Sequence, residues 1–398
     1  MPSPAIELHS RLRGKLSVNS KVNVKSMQDL SLIYTPGVAE PCREIASNPE
    51  KVFDYTIKGN TVAIVTDGSA VLGLGDIGPE ASLPVMEGKA LLLKEFAGID
   101  SFPIALATQD VDELVSIVRN IAPVFGAINL EDIAAPRCFE VDARLQDIGI
   151  PVMHDDQHGT AIVVLAALMN ALKVVGKEIE DTRVVISGAG AAGIAISKML
   201  HCLGYDRNLC TEVGEILLVD STGIIYDGRP GLNKFKQELA RETNHEKRKG
   251  SLGDALEGAD VFIGVSRGNL VAKENIKKMA SRPVVFTMAN PVPEIMPQDA
   301  LDAGAAIVGT GRSDYPNQIN NVLAFPGVYR GALDSGAMRI TPLMRLSAAL
   351  ALASCVQNPG KNRIIPDALD KSVVPKIAGA VAQTAVEDGV VRKRSPSV

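Results

Sequence analysis

The sequence predicts the α/β class: an N-terminal α/β lobe with a parallel sheet, followed by a doubly wound domain. Three observations predict it. Short β-rich apolar runs alternate with helical stretches from Asn60 onward, the pattern of parallel sheets covered by helices. A long apolar stretch, TAIVVLAALMNALKVVG (160–176), separates the runs into two series and reads as a helix joining two lobes. The second series opens on a strand, a Gly-rich turn and a helix. At roughly 150 residues per domain, a chain of 398 residues divides into two units, 1–158 and 159–398.

The elements follow in order. Ser3 and Pro4 read as a helix N-cap and first-turn proline, with Ala5, Leu8 and Leu12 at helical spacing. TVAIVTDG (61–68) is a strand ending in turn residues, and LGLGDIG (72–78) leads to a helix carrying GKALLLKEFAG (88–98). PIALAT (103–108), GAINLED (126–132) and GIPVMHDD (149–156) give three more strands, with a helix at DELVSIVRNIA (112–122). In the second unit RVVIS, EILLVDSTG (215–223), DVFIGVS (260–266), PVVFTMANP (283–291) and AIVGTG (306–311) supply strands. NHEKRKG (244–250) reads as a charged surface loop and VVRKRSPSV as a frayed basic tail. The Ala-rich segments 343–356 and 375–389 read as packing helices.

Composition narrows the function classes. Hydrophobic residues at 46% and charged residues at 22% suit a folded globular chain. A net charge of −5 argues against a general nucleic-acid binder, and no Trp, 6 Tyr and 9 Phe leave little for base stacking. The five cysteines (Cys42, Cys138, Cys202, Cys210, Cys355) lack C-x-x-C spacing and read as reduced thiols. The N-terminus carries no signal-peptide core, and the longest apolar run, Ala161–Met169, is about half a membrane span. A soluble cytoplasmic protein without membrane or nucleic-acid partners is expected.

Gly188-x-Gly190-x-x-Gly193 follows RVVIS and opens the next helix. The first Gly allows the tight turn, the second a close approach to a pyrophosphate, and the third close helix–strand packing. With Ala191 in the loop, this is a Rossmann-type dinucleotide fingerprint. A Gly-rich turn without a ligand is the plain alternative, and the strand and helix context disfavours it. Asp220 ends the next strand, somewhat beyond the usual spacing because of a polar insertion at Asp206–Gly214. It would bind ribose hydroxyls and oppose a 2′-phosphate, favouring NAD over NADP, although Arg229 or a Lys in 234–236 could reach a phosphate. Ser266 and Asn290, at later strand ends, are further cofactor candidates.

Two carboxylate pairs, Glu131-Asp132 and Asp155-Asp156, also stand at strand ends, where α/β sheets bind ligands. Carboxylates converging without thiolates suit Mg²⁺ or Mn²⁺. For any one of them a helix cap or salt bridge is the plain alternative. His154 and His158 suggest zinc, but without the ligand spacing of a closed site.

Eight motifs together resemble those of the malic enzymes, most of all the short bacterial form. They are YTPGVAEPC (34–42), DGSAVLGLGDIG (67–78), EGKALL (87–92), NLEDIAAP (129–136), HDDQHGTA (154–161), GAGAAGIAI (188–196), MANPVPE (288–294) and QINNVLAFPG (318–327). They span nearly the whole chain in the family's order. The resemblance implies oxidative decarboxylation of L-malate, by way of oxaloacetate, to pyruvate and CO2, with NAD or NADP and Mg²⁺ or Mn²⁺. It implies Tyr34 as general acid, Lys89 as general base with Asp155 beside it, and Glu131, Asp132 and Asp156 as metal ligands. Asn290 and Asn321 would hydrogen-bond the substrate, and a homodimer is implied. The chain departs from the larger eukaryotic enzymes at Ala70, where they carry an Arg for a substrate carboxylate. Ser69, the backbone around Leu72–Gly75, or a basic residue of a partner subunit would then serve.

A Lys base needs a pKa depressed by burial or nearby cations. Lys89 in its apolar helix is expected to meet that condition, while Lys94 reads as a surface residue paired with Glu95. Three other readings stand beside the main one. They are a malolactic enzyme making lactate with bound NAD, a metal-independent amino-acid dehydrogenase, and a non-catalytic dinucleotide-binding protein.

Overall fold

The computed structural model describes residues 3–204 and 210–392. Part of the polar insertion before Asp220, and the basic tail from 393 on, lie outside the described residues. The chain opens with α1 (Pro4–Leu12), α2 (Met27–Ile33), α3 (Ala39–Ser47) and α4 (Val52–Tyr55). Ser3 caps α1 as its sequence predicts, its hydroxyl accepting from the Ile6 N–H. None of these four helices buries a residue.

The first lobe is β1 (Thr61–Thr66), α5 (Pro79–Ala97), β2 (Asp100–Ala105), α6 (Val111–Ile121), β3 (Ala127–Leu130), α7 (Arg137–Arg144) and β4 (Val152–His154). Its four strands are parallel in the order β2-β1-β3-β4. β1 and β3 are buried at every position, as their mainly apolar runs lead one to expect of central parallel strands.

Next comes α8 (Asp155–Val175), long and apolar enough to cross a membrane, yet 72% of that stretch is buried inside the protein. It is a core helix. It starts five residues earlier than the sequence predicts, so Asp155 and Asp156 form its first turn.

The second unit contains β5 (Arg183–Ser187), α9 (Ala191–Leu200), β6 (Glu215–Asp220), β7 (Gly223–Ile224), α10 (Lys234–Glu242), α11 (Leu252–Leu256), β8 (Val261–Gly264), α12 (Lys273–Lys277), β9 (Val284–Thr287), α13 (Pro297–Asp302) and β10 (Ile307–Thr310). The strand order is β10-β9-β8-β5-β6-β7, parallel except for the short β6–β7 pair. The order reverses between β5 and β8, the crevice where doubly wound sheets bind ligands.

The chain closes with α14 (Phe325–Ser335), α15 (Pro342–Ser354) and α16 (Val373–Glu387). The buried Tyr329 hydroxyl on α14 is 3.1 Å from the carbonyls of both Ile128 and Met153, and Arg330 bonds Asn60. These bonds fasten the C-terminal helices to the first sheet.

The thiols differ from the sequence reading. Cys202 and Cys210 form a disulfide, with Cα atoms 5.8 Å apart, while Cys42, Cys138 and Cys355 are free. The chain returns to the end of α9, where the Cys202 N–H bonds the Met199 carbonyl and the Cys210 sulfur lies near it. That return is a tertiary event which cysteine spacing does not announce.

Candidate active site

The C-terminal edges of both sheets face one cleft of about 530 Å³. From the first lobe it is lined by Ala70, Asp132 and Asp156, and from the second by Gly190, Ala191, Ser266 and Asn290, with Asn321 ahead of α14. This lining holds seven of the fourteen candidate site residues singled out in the sequence. Gly193 packs under the Gly-rich turn, where a Cβ would lie 1.7 Å from the Gly188 carbonyl oxygen, so only glycine fits.

Beside the cleft a buried charge cluster forms. The Lys89 ammonium, from α5, donates to Asp155 Oδ2 at 2.5 Å and lies 2.7 Å from Glu131 Oε1. It also stands 4.3 Å above the Phe325 ring. Gly159, one turn along α8, makes room for this arrangement, since a Cβ there would meet Asp155 Oδ1 at 1.8 Å. Burial alone would depress Lys89, but the carboxylates of Asp155, Glu131 and Asp156 outweigh it and raise the ammonium above its usual range. The expectation of a depressed Lys89 therefore fails among the chain's own groups, because carboxylates surround it where the sequence reading assumed apolar walls. Burial, with repulsion from Glu131, pushes Asp155 up to about 7.

Glu131, Asp132 and Asp156 each offer a carboxylate oxygen, all within 4.8 Å of one another. Glu131 also accepts from Asn129 Nδ2 at 2.8 Å, and Asp156 accepts from the Asp132 N–H at 2.8 Å. Asp132 holds a φ of 53°, a left-handed conformation costly for a non-glycine residue. Burial, with Asp156 nearby, pushes Glu131 up to about 7, and burial with Asp155 nearby pushes Asp156 up to about 6. Three hard oxygen donors, two of them, Glu131 and Asp156, with ionisation disfavoured by burial and crowding, fit a divalent cation of the Mg²⁺ or Mn²⁺ kind. The histidines take no part in this grouping. His154 is buried, and burial lowers it to about 4, while His158 bonds Asp142 and Arg345.

Other expectations are redirected. Ser69 is occupied within its loop, donating to Asp67 and accepting from the Ala134 N–H, and among the described residues no Lys or Arg lines the cleft. Lys94 pairs with Asp100, not Glu95. Asp220 accepts from both Arg229 and Lys236, which hold its carboxyl at about 2 against the opposing effect of burial. Tyr34 lies outside the cleft lining, 65% exposed, with no side-chain hydrogen bond among the described residues.

The sequence reading missed Glu294. Fully buried, it accepts from the N–H groups of Ser266 and Ala289 and from the Thr287 hydroxyl, tying the loop after β8 to the loop after β9. A carboxylate in the apolar setting of NPVPEIM is the signal that could have found it, because buried charges need partners.

Comparison with known proteins identifies the family. Residues 13–146 match the malic enzyme N-terminal domain, and residues 157–386 match the malic enzyme NAD binding domain. The bifunctional malic/malolactic enzyme of Bacillus subtilis (strain 168) is 56% identical over 98% of this chain and 94% of its own length. The NADP-dependent malic enzyme of Halomonas elongata is 45% identical, over 99% of this chain and 95% of its own. The crystal structure of the NAD-dependent malic enzyme from Thermotoga maritima superposes with a TM-score of 0.91 at 51% identity, covering 96% of this chain and 99% of that one. Two domain matches in order, near-complete coverage and a shared fold give one conclusion: the chain belongs to the malic enzyme family.

Proposed function

We propose that the protein oxidises and decarboxylates L-malate to pyruvate and CO2 while reducing NAD or NADP. The observation that carries this reading is the Lys89–Asp155 pair set beside three clustered carboxylates and a Gly-rich dinucleotide loop around one cleft. The substrate hydroxyl proton passes to Lys89 as Lys89 hands its own proton to Asp155, and a bound NAD or NADP would accept the hydride from C2. The C3–C4 bond then breaks, CO2 leaves, its electron pair forms the enolate of pyruvate, and a phenol proton from Tyr34 reaches C3. Glu131, Asp132 and Asp156 would hold a divalent metal, which polarises the C2 oxygen and stabilises enolate charge. Asn290 and Asn321, which line the cleft, hydrogen-bond the substrate.

The working form is a homodimer, and the N-terminal segment supports it. Its helices bury nothing, and Val18, Met27 and Leu32 are exposed. Tyr34, in the same segment, serves the site of the second copy, which also brings the basic group that the cleft lacks for a substrate carboxylate. The chain divides into two functional units, with the C-terminal helices completing the first by their bonds to its sheet.

The test follows absorbance at 340 nm with malate, Mn²⁺ and NAD or NADP, assaying pyruvate and lactate. Reduced nucleotide with pyruvate is expected, and lactate without net nucleotide reduction would refute the oxidative reading. Mixing two inactive variants, Lys89→Ala and Tyr34→Phe, then tests the dimer. If Tyr34 acts across the interface, mixed dimers regain activity; if it acts within its own chain, the mixture stays dead.

A further inference from the structure

A second cleft, of about 730 Å³, shares no lining residue with the catalytic one. Gln157, His158 and Ala161 face it from α8, whereas Asp156 and Thr160 face the catalytic side. Its walls come from both lobes: α7 on one side, α9 and the start of α15 on the other.

Three cations line it, Lys198, Arg339 and Arg345, and none of them sits in a salt bridge among the described residues, although Asp142 feels the charge of Arg345. The acids of the same wall are already answered. Asp142 accepts from His158 Nε2 at 3.0 Å and from Gln146 Nε2 at 3.2 Å, and Asp388 accepts from the Thr341 hydroxyl at 2.5 Å. Because Nε2 of His158 donates to Asp142, its Nδ1 is the acceptor of the Arg345 Nη1 donor at 2.7 Å. That bond aims the guanidinium, whose Nε is buried without a hydrogen bond. The 13-residue α15 starts here with Thr341 as its N-cap, adding the positive end of a helix dipole. An apolar wall faces these groups, where the Phe139 and Phe235 rings meet with centroids 4.5 Å apart.

We propose that this cleft binds a small phosphate-bearing metabolite with an apolar or aromatic body. The phosphate meets Lys198, Arg339 and Arg345 at the start of α15, and the body lies on Phe139 and Phe235. Lys198 and Arg339, without an acceptor among the described residues, and Arg345, held by a neutral imidazole, are in a cleft of metabolite size the complement of such a ligand. An occupant bridges the two lobes and competes with His158 for Arg345, so it acts on the same helical turn that carries Asp155 and Asp156. The site is a regulatory one by position.

The test is calorimetric titration of phenyl phosphate into the full-length protein, free of divalent metal and saturated with NAD so that the dinucleotide loop is filled. One saturable site per chain is expected, with at least tenfold weaker binding in the Lys198→Gln/Arg339→Gln double variant. Both residues lie on the surface of the cleft, so the variant keeps the wild-type melting temperature and basal activity. Inorganic phosphate is expected to bind at least tenfold more weakly than phenyl phosphate, with Phe235→Ala erasing the difference. Absence of saturable binding, or equal affinity in the charge variant, overturns the site, and equal affinity for the two phosphates overturns its aromatic wall.

Discussion

Lys89 and Asp155 lie 66 residues apart in the sequence, and the Lys89 ammonium stands 2.5 Å from the Asp155 carboxylate. Glu131 approaches the same ammonium from β3, so one cation serves two buried acids. The arrangement gives the cluster a reason to be assembled, since unpaired buried charges are costly.

Lys89→Ala is expected to lower turnover roughly 10²- to 10⁴-fold and to lower the melting temperature by stranding Asp155 and Glu131. Lys89→Arg restores the charge, and with it much of the stability, but not the rate. Steady-state kinetics beside thermal melts separate the two effects. A near-normal rate in either variant removes Lys89 from the chemistry.

Tyr34 is the reverse case. Its side chain is exposed, so Tyr34→Phe should leave stability within about 0.5 kcal/mol while removing most malate decarboxylation. Wild-type turnover in that variant would rule out the phenol as proton donor.

Asp220 is neutralised by Arg229 and Lys236. Asp220→Ala frees both cations for a 2′-phosphate. At about 1.5–3 kcal/mol per charged hydrogen bond, the ratio of kcat/KM for NADP over NAD should rise at least tenfold. An unchanged ratio would show that these three residues do not read the ribose.

Glu294→Ala leaves the N–H groups of Ser266 and Ala289 without their acceptor, each at about 1–3 kcal/mol when buried. The KM for dinucleotide should rise, because both loops line the cleft, and Glu294→Gln should recover part of the loss. Equal KM values for wild type and the Ala variant would leave Glu294 a purely structural residue.

Lys58 is buried and donates to the Ala122 and Phe125 carbonyls at 2.7 Å each. Burial, and then Arg392, lower it from 10.5 to about 8. Between those values the native chain has lost a proton that the unfolded chain keeps, so this group's contribution to stability rises with pH in that window. Denaturant titrations of wild type and Lys58→Met should diverge in favour of wild type from pH 8 to pH 10, and parallel curves would contradict the shift.

What the sequence by itself determined was local. Apolar runs located strands β1, β3, β5 and β6, and the glycines of 188–193 located the dinucleotide turn, because strand burial and turn geometry depend on a few consecutive residues. The candidate metal ligands were legible for the same reason, standing in adjacent pairs at strand ends. What joined those pieces was tertiary. Only the fold could set Lys89 against Asp155 and Glu131, cage Asp220 between Arg229 and Lys236, bond Cys202 to Cys210, bury Glu294 under two loops and leave Tyr34 outside. Charge environments are sums over groups that approach from separate elements, and no window of sequence contains all of them.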